Sequence, residues 1–197
     1  MKDSITIKYF FSNDIAPLIP DLARLRITVF RDFPYLYEGN YDYEKEYLKV
    51  YTNSSASVLV AAFDGDKVIG AATALPLKDE AQYVIEPFQK AQMNIEDIYY
   101  FGESVLLKEY RGLGLGHAFF DGRELAAKKF QYKIATFCAV NRPVNHKLRP
   151  ENYQPLDEFW KKRGFTKNEN LIAQFSWQDI DELKESAKSM TYWMKHL

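Results

Sequence analysis

The segment EYRGLGLGH, residues 109–117, limits the fold more than any other part of the sequence. It has glycine at positions 112, 114 and 116, and it lies between two segments of different periodicity. Residues 98–107 are rich in β-forming side chains, whereas apolar side chains recur at helical spacing after the glycines. The recurring apolar positions are Leu115, Ala118, Phe119, Gly122, Leu125, Ala126 and Phe130. The sequence therefore predicts a strand, a glycine-rich loop and a helix.

A loop of this kind is suited to holding an anion. The first backbone N–H groups of a helix have no acceptor within the helix, and they carry a partial positive charge. Glycine removes the side chains that would keep a phosphate away from these groups, and Arg111 adds a cation at the mouth of the loop. The alternative is a tight turn in which the glycines serve only the backbone geometry.

Two common phosphate-binding patterns do not fit this loop. The phosphate-binding loop of NTPases needs Lys followed by Ser or Thr, and neither follows Gly116. The dinucleotide pattern needs a third glycine where this sequence has His117 or Phe119, depending on the starting glycine. A nucleotide-binding protein is therefore disfavoured.

Charge and cysteine content exclude several classes of protein. The 197 residues carry a formal net charge of -1, which gives no overall attraction to nucleic acid or to an anionic membrane. The single cysteine, Cys138, excludes an internal disulfide framework and a cysteine-based zinc site. Its apolar neighbours indicate a small buried residue rather than a nucleophile. With no secretory signal and no apolar run long enough for a membrane span, we expect a cytoplasmic protein without a metal.

The order of the elements predicts one mixed α/β domain over residues 1–197. Strands are predicted over 4–10, 58–63, 67–75, 98–107, 133–140, 170–177 and 190–196, with a hairpin at Asp64-Gly65-Asp66. Helices are predicted over 15–29, 80–92, 115–130, 156–165 and 179–188.

The run Arg111-Gly112-Leu113-Gly114-Leu115-Gly116 after the strand ESVLL resembles the coenzyme A pyrophosphate loop of the GNAT N-acetyltransferases. An apolar strand that ends in Asn141 and the segment EFWKKRGF, residues 158–165, resemble later parts of the same family. The resemblance implies an α/β fold with a central mixed, mostly antiparallel sheet flanked by helices. It also implies acetyl-CoA as acyl donor, with no metal, and direct transfer of the acetyl group to an amine.

The resemblance also assigns the residues that would bind the cofactor. Backbone groups of Val105, Leu106 and Leu107 correspond to those that bind pantetheine in the family, beside a bulge where the strand splays from its neighbour. The loop corresponds to the pyrophosphate site, and Asn141 is placed like a family asparagine that contacts the cofactor. The loop residues concerned are Arg111, Gly112, Leu113, Gly114, Leu115, Gly116 and His117.

Two residues are candidates for proton transfer. Glu103 lies close to where many relatives carry a catalytic glutamate, and apolar neighbours at Phe101 and Val105 would raise its pKa. The alternative for Glu103 is a structural carboxylate that pairs with a cation. The family often has an acidic tyrosine where this chain has Trp160, whose indole is not a useful acid, so Tyr153 or water would have to protonate the leaving thiolate.

The acceptor is predicted less sharply. Residues 32–47 combine five tyrosines with five acids and one lysine, which would attract a cationic amine, or alternatively form an ordinary surface or a homodimer interface. Residues 142–155 form an insertion with Arg142, His146, Lys147 and Arg149. This insertion would hold cofactor phosphates, hold a carboxylate of a zwitterionic acceptor, or be a plain solvated loop. The leading hypothesis is an N-acetyltransferase for a small-molecule amine, and the alternative is a GNAT-fold module that binds coenzyme A without turnover.

Overall fold

A seven-stranded sheet with helices on both faces organises the chain. The computed structural model describes residues 4–197. The strands are β1 (Ile5–Phe11), β2 (Val58–Asp64), β3 (Lys67–Pro76), β4 (Ile98–Leu106), β5 (Ile134–Val140), β6 (Thr166–Trp177) and β7 (Ser186–His196). The helices are α1 (Ile19–Phe30), α2 (Tyr41–Tyr47), α3 (Lys49–Asn53), α4 (Gln82–Lys90), α5 (Leu115–Lys129) and α6 (Asp157–Lys162).

The order of the strands creates a gap in the middle of the sheet. The order is β1-β2-β3-β4-β5-β7-β6, and every neighbouring pair is antiparallel except β4 with β5. The parallel pair is paired only where Ile98–Tyr100 meets Ile134–Thr136. Beyond these residues β4 continues beside β3, and β5 continues beside β7. The carboxyl-terminal halves of β4 and β5 therefore diverge, and backbone groups between them are left without a strand partner.

The helix after the glycine loop packs closely on the sheet. Phe119 of α5 is 1% exposed, and a Cβ added at Gly122 would come within 2.8 Å of Val60 in β2. Glycine at this position therefore lets the helix approach the strand. Leu125 departs from the predicted apolar stripe because its side chain is 65% exposed.

The helices divide between the two faces. Phe120 of α5 packs its ring against those of Phe101 in β4 and Phe159 in α6. On the other face Arg26 of α1 contacts Glu103 of β4, and the hydroxyl of Tyr192 in β7 donates to the carbonyl of Val84 in α4. We call these the α5 face and the α1 face. No helix among residues 4–197 is long and apolar enough to cross a membrane.

The predicted helix over 179–188 is wrong. Residues 179–185 form turns, and residues 186–188 already belong to β7. Polar side chains supply the hydrogen bonds of the turns. The Glu182 carboxylate accepts from Ser186 and Lys188, and the buried Asp179 forms an ion pair with Arg142. Such side-chain bonds compete with helix formation. Helix α2 was not predicted; it begins after Asn40, whose side chain accepts from the N–H of Tyr43.

Candidate active site at the gap between β4 and β5

The glycine loop adopts a backbone conformation that side chains disfavour. Gly112 and Gly114 have φ angles of 78° and 82°, in the left-handed region, and Gly114 is the N-cap residue directly before α5. No atom lies within 4 Å of a Cβ added at either position, so both glycines border open space. A Cβ added at Gly116 would make an ordinary contact of 3.6 Å with Phe159.

Five consecutive N–H groups in this loop have no acceptor within the described chain. They belong to Gly112, Leu113, Gly114, Leu115 and Gly116. The flanking N–H groups are occupied, since Arg111 donates to the Lys108 carbonyl and His117 donates to the Gly114 carbonyl. The backbone N–H of Arg111, which was also predicted to bind the pyrophosphate, is therefore already bonded. Arg111 would contribute only through its side chain. The N-terminus of a helix carries a partial positive charge, and N–H groups without acceptors there form a binding site for an anion.

The edge of β4 leads into this loop and is open toward β5. The N–H of Glu103 donates to the Thr73 hydroxyl at 2.8 Å, and the N–H of Leu107 donates to the Ile69 carbonyl at 3.0 Å, both toward β3. Backbone groups alternate in direction along a strand. The N–H of Leu106 therefore faces the gap, while those of Val105 and Leu107 face β3. Of the three pantetheine-binding positions that the resemblance implied, only Leu106 presents its N–H to the gap.

A bulge in β4 places Glu103 on the α1 face. The register of β3 with β4 shifts here, so that Gly102 and Glu103 lie opposite the single residue Thr73. Only glycine fits at position 102, because a Cβ there would collide with the hydroxyl of Tyr51. The bulge also reverses the side of Phe101, whose ring packs on the α5 face. The prediction that Phe101 flanks Glu103 is therefore wrong.

Glu103 is a buried carboxylate with partners. It is 3% exposed, forms an ion pair with Arg26, and accepts from the Tyr47 hydroxyl at 3.2 Å. Burial raises the pKa of Glu103, and the charge of Arg26 opposes that rise. The structural role that the sequence left open, pairing with a cation, is thus observed. The role of general base stays a prediction.

Arg26 holds a second carboxylate that the sequence did not identify as buried. Its guanidinium also contacts Glu44 of α2, which is 0% exposed and accepts from the Tyr37 hydroxyl at 2.6 Å. Arg26 therefore fastens the acidic, tyrosine-rich segment 32–47 onto the sheet. Tyr41 and Tyr43 of this segment remain exposed, at 44% and 59%. The only sequence signal for Arg26 is a charge inside the apolar stripe of α1.

The insertion 142–155 packs on the same segment. Arg142 donates to both oxygens of Asp179 and to the carbonyls of Pro34 and Tyr35, at 2.6 to 2.9 Å. All of these bonds are internal to the protein, so neither of the two ligand roles considered for Arg142 fits. Lys147 likewise pairs with Asp181 at 2.7 Å. The reading of the insertion as a cationic ligand clamp is therefore not supported by these two residues.

Tyr153, the candidate acid, lies at the outer side of this packing. Its ring meets Phe33 edge-to-face at 4.7 Å, and the Arg149 guanidinium stacks on it at 4.9 Å. Burial raises the pKa of Tyr153. Trp160, at the family's acid position, packs between Phe137 and Trp193 on the α5 face. The acid role of Tyr153 stays a prediction.

Asn141 and Cys138 both have partners at the gap. The side-chain amide of Asn141 donates to Ser189 and Thr191 of β7, so the structure turns it toward β7, and its cofactor contact stays a prediction. The sulfur of Cys138 lies 3.2 Å from the Tyr100 hydroxyl. Burial raises the pKa of Cys138 to about 12, so the thiol is protonated near neutral pH and unsuited to act as a nucleophile.

Glu80 is a further buried carboxylate that sequence reasoning missed. It follows β3, is 8% exposed, and has one oxygen, Oε1, without a hydrogen-bond partner in the described structure. Nothing in its local sequence, LKDEA, distinguishes it from a surface acid. Among residues 4–197 no group of three or more His, Cys, Asp or Glu side chains is arranged to hold a metal ion.

The fold is similar to those of solved acetyltransferases. A ribosomal-protein-alanine N-acetyltransferase from Brucella melitensis aligns over 98% of this chain and 99% of its own, with 11% identity and a TM-score of 0.63. An acetyltransferase from Streptococcus agalactiae aligns over 99% of both chains, with 14% identity and a TM-score of 0.62. A GNAT family acetyltransferase from Elizabethkingia anophelis, solved with acetyl-CoA bound, aligns over 100% of both chains with 15% identity and a TM-score of 0.56.

These similarities lie in the three-dimensional structure. No protein-family model and no curated protein sequence matches the chain. The chain nevertheless has the GNAT acetyltransferase fold from end to end. The predicted α/β class, with a mixed and mostly antiparallel sheet flanked by helices, is confirmed.

Proposed function

We propose that this protein is an N-acetyltransferase that moves an acetyl group from acetyl-CoA to a primary amine of a small molecule. The observation that carries the proposal is that two sets of backbone groups without hydrogen-bond partners adjoin each other. The open edge of β4 faces the gap to β5, and the same strand leads through the glycine loop to five free N–H groups. An extended ligand with an anionic end fits both surfaces together.

The residues present are suited to acetyl-CoA. The diphosphate would bind the N–H groups of residues 112–116, with the Arg111 guanidinium beside it; Arg111 now donates weakly to the Leu106 carbonyl at 3.4 Å. The pantetheine arm would lie along the gap-facing backbone of Leu106. Five donors without acceptors and a strand edge without a partner are what such a ligand would satisfy.

Acetyl-CoA supplies an acetyl group that is activated as a thioester. The N–H of Leu106 faces the gap and would donate to the carbonyl oxygen as that oxygen gains negative charge. The acceptor would enter on the α1 face, where segment 32–47 covers Glu103. Because only a neutral amine attacks, Glu103 or water would accept the proton that the amine loses.

The acceptor proposed here is a small cationic amine rather than a zwitterion. Two of the four basic residues of the insertion that were considered for holding a carboxylate, Arg142 and Lys147, form ion pairs within the protein, and a third, Arg149, stacks on Tyr153. Action in the cytoplasm and a homodimer remain predictions from the sequence.

Thermal unfolding and thiol release together test the proposal. We expect acetyl-CoA at 100 times its Kd to stabilise the fold by about 2.7 kcal/mol, because a ligand that binds only the native state shifts the unfolding equilibrium. We also expect free thiol to appear only when an amine is added. Protection without turnover across a panel of amines would favour the alternative of a binding module, and absence of protection would contradict both hypotheses.

Replacing Glu103→Gln tests the general base. We expect turnover to fall roughly 100-fold, the low end of the contribution of a general base, because some amine is neutral without help. The affinity for acetyl-CoA should change little, since Glu103 faces away from the loop. The matched control is Glu96→Gln, an exposed carboxylate that pairs with Lys78. Equal turnover in wild type and Glu103→Gln would leave Glu103 with a purely structural role.

A further inference from the structure

Glu80 is buried, and none of the described residues, 4–197, forms an ion pair with it. Oε2 accepts from the N–H of Ala81 at 3.1 Å, while Oε1 is buried and unbonded within residues 4–197. The adjacent Lys78 extends to Glu96 instead. Burying a carboxylate without a counter-charge costs several kcal/mol. An isolated carboxylate in such a place is therefore suited to a positively charged ligand.

The surroundings of Glu80 are those of the proposed acceptor site. The hydroxyl of Tyr192 in β7 donates to the carbonyl of Val84 on α4, the helix that directly follows Glu80. Burial raises the pKa values of six side chains on six different elements, and the charge of Glu80 adds to each rise: Tyr47, Tyr51, Tyr83, Tyr100, Cys138 and Tyr192. None of the six carries a positive charge. Burial raises the pKa of Glu80 itself to about 7, and the charge of Glu103 adds to this rise. Glu80 and Glu103 therefore belong to one buried region on the α1 face.

The charges in this region do not balance. Three carboxylates are buried here, those of Glu44, Glu80 and Glu103, and Arg26 forms ion pairs with two of them, Glu44 and Glu103. A second buried guanidinium, that of Arg123, donates to the backbone carbonyl of Glu103 and forms no ion pair with any of the three. Among the described residues, Glu80 is therefore the one of these three carboxylates without an ion pair, and Arg26 acts on it only at longer range.

Exposed tyrosines lie on the helices around this region. Tyr83 on α4, three residues after Glu80, is 42% exposed, and Tyr43 on α2 is 59% exposed. Tyr43 also stacks on Tyr47 with nearly parallel rings. Aromatic faces attract cations, so these tyrosines favour the approach of an alkylammonium group.

We propose that Glu80 binds a positively charged amino group of the acceptor, and that the acceptor is a diamine or longer polyamine. This inference rests on the proposed acetyl transfer. The nitrogen that attacks the thioester must be neutral, whereas a nitrogen held against a buried carboxylate stays charged. The amino group at Glu80 is therefore a second one, distinct from the nitrogen that is acetylated.

A matched pair of substrates tests this inference. We compare a diamine with the monoamine of the same chain length, in wild type, Glu80→Gln and a control, Glu86→Gln. Glu86 is an exposed carboxylate on α4, the helix that follows Glu80, and it pairs with Lys90. Wild type and Glu86→Gln should prefer the diamine at least roughly tenfold in kcat/KM, an ion-pair effect of the size found for buried charges. Glu80→Gln should lose this preference through a higher KM. It should fold normally, since the change removes a buried charge.

The outcomes separate the two proposals. A diamine preference that survives in Glu80→Gln, or none in wild type, would overturn the role of Glu80 even if acetyl transfer is observed. If no amine is acetylated, binding is measured instead as the rise in Tm that the diamine causes with coenzyme A present. A rise in wild type that is absent in Glu80→Gln would support the site although the proposed reaction had failed. No rise in wild type would overturn it.

Discussion

Replacing Gly114→Glu should weaken the binding of acetyl-CoA roughly 1,000-fold, which corresponds to about 4 kcal/mol. The new carboxylate would stand where the diphosphate is expected, at the residue directly before α5. It would repel the phosphates and compete for the N–H groups of residues 112–116. Each charge-assisted hydrogen bond lost is worth about 1.5–3 kcal/mol. Isothermal titration calorimetry with acetyl-CoA measures the change.

The matched control is Gly114→Gln, because it separates charge from backbone strain. Gly114 has a φ of 82°, so both variants carry the same strain of about 1–2 kcal/mol. We expect Gly114→Gln to lose only about tenfold in affinity, with a stability close to that of Gly114→Glu. Equal affinities for the two variants would mean that no anion binds at this loop.

Replacing Arg26→Met should destabilise the fold by about 3–5 kcal/mol, the range found when one member of a buried ion pair is removed. Arg26 is the shared partner of Glu44 and Glu103, both less than 5% exposed. Without it these two carboxylates and Glu80 would remain buried with no cation in contact. Urea unfolding at neutral pH measures the loss.

An exposed ion pair provides the comparison for Arg26. Arg31 directly follows α1, the helix that contains Arg26. It pairs with Glu38, and the two side chains are 53% and 43% exposed. Arg31→Met should cost less than about 1 kcal/mol, as is usual for solvent-exposed pairs. Adding Glu44→Gln to Arg26→Met should restore part of the lost stability. If Arg26→Met were as mild as Arg31→Met, the buried charge cluster described here would be incorrect.

The features that the sequence predicted well are local ones. The glycine loop was predicted because three glycines separate a segment rich in β-forming residues from one with helical periodicity, and Gly112 and Gly114 do adopt left-handed backbone. The hairpin was predicted from Asp64-Gly65-Asp66 between two apolar runs, and Gly65 has a φ of 59°. In both places the backbone conformation depends on residues that are adjacent in the sequence, so a short segment is enough to predict it.

The features that the sequence missed join distant residues. Arg142 links the Pro34–Tyr35 backbone to Asp179, and no local pattern indicates which of several arginines does so. The bulge at Gly102 changes the side of the sheet on which the following side chains of β4 lie. The need for glycine there comes from Tyr51 of α3, which is far away in the sequence. Glu80 is a surface-type residue in a polar segment until α4 and the sheet enclose it. Burial and pairing of this kind arise from tertiary packing.

The segment 32–47 illustrates both limits. Its acidic and aromatic composition predicted attraction to a cationic amine, and its exposed tyrosines, Tyr41 and Tyr43, fit that idea. Its buried acid, Glu44, is neutralised by Arg26 and is not available to an acceptor. The unpaired negative charge lies instead at Glu80, outside the segment. Composition thus indicated the sign of the acceptor's charge but not the residue proposed to bind it.

The binding of acetyl-CoA at the glycine loop is best tested by a crystal structure of the complex. We expect diphosphate oxygens within hydrogen-bond distance of the N–H groups of Gly112 through Gly116, with the pantetheine arm running between β4 and β5. A diphosphate bound elsewhere on the molecule, with these N–H groups still free, would contradict this expectation.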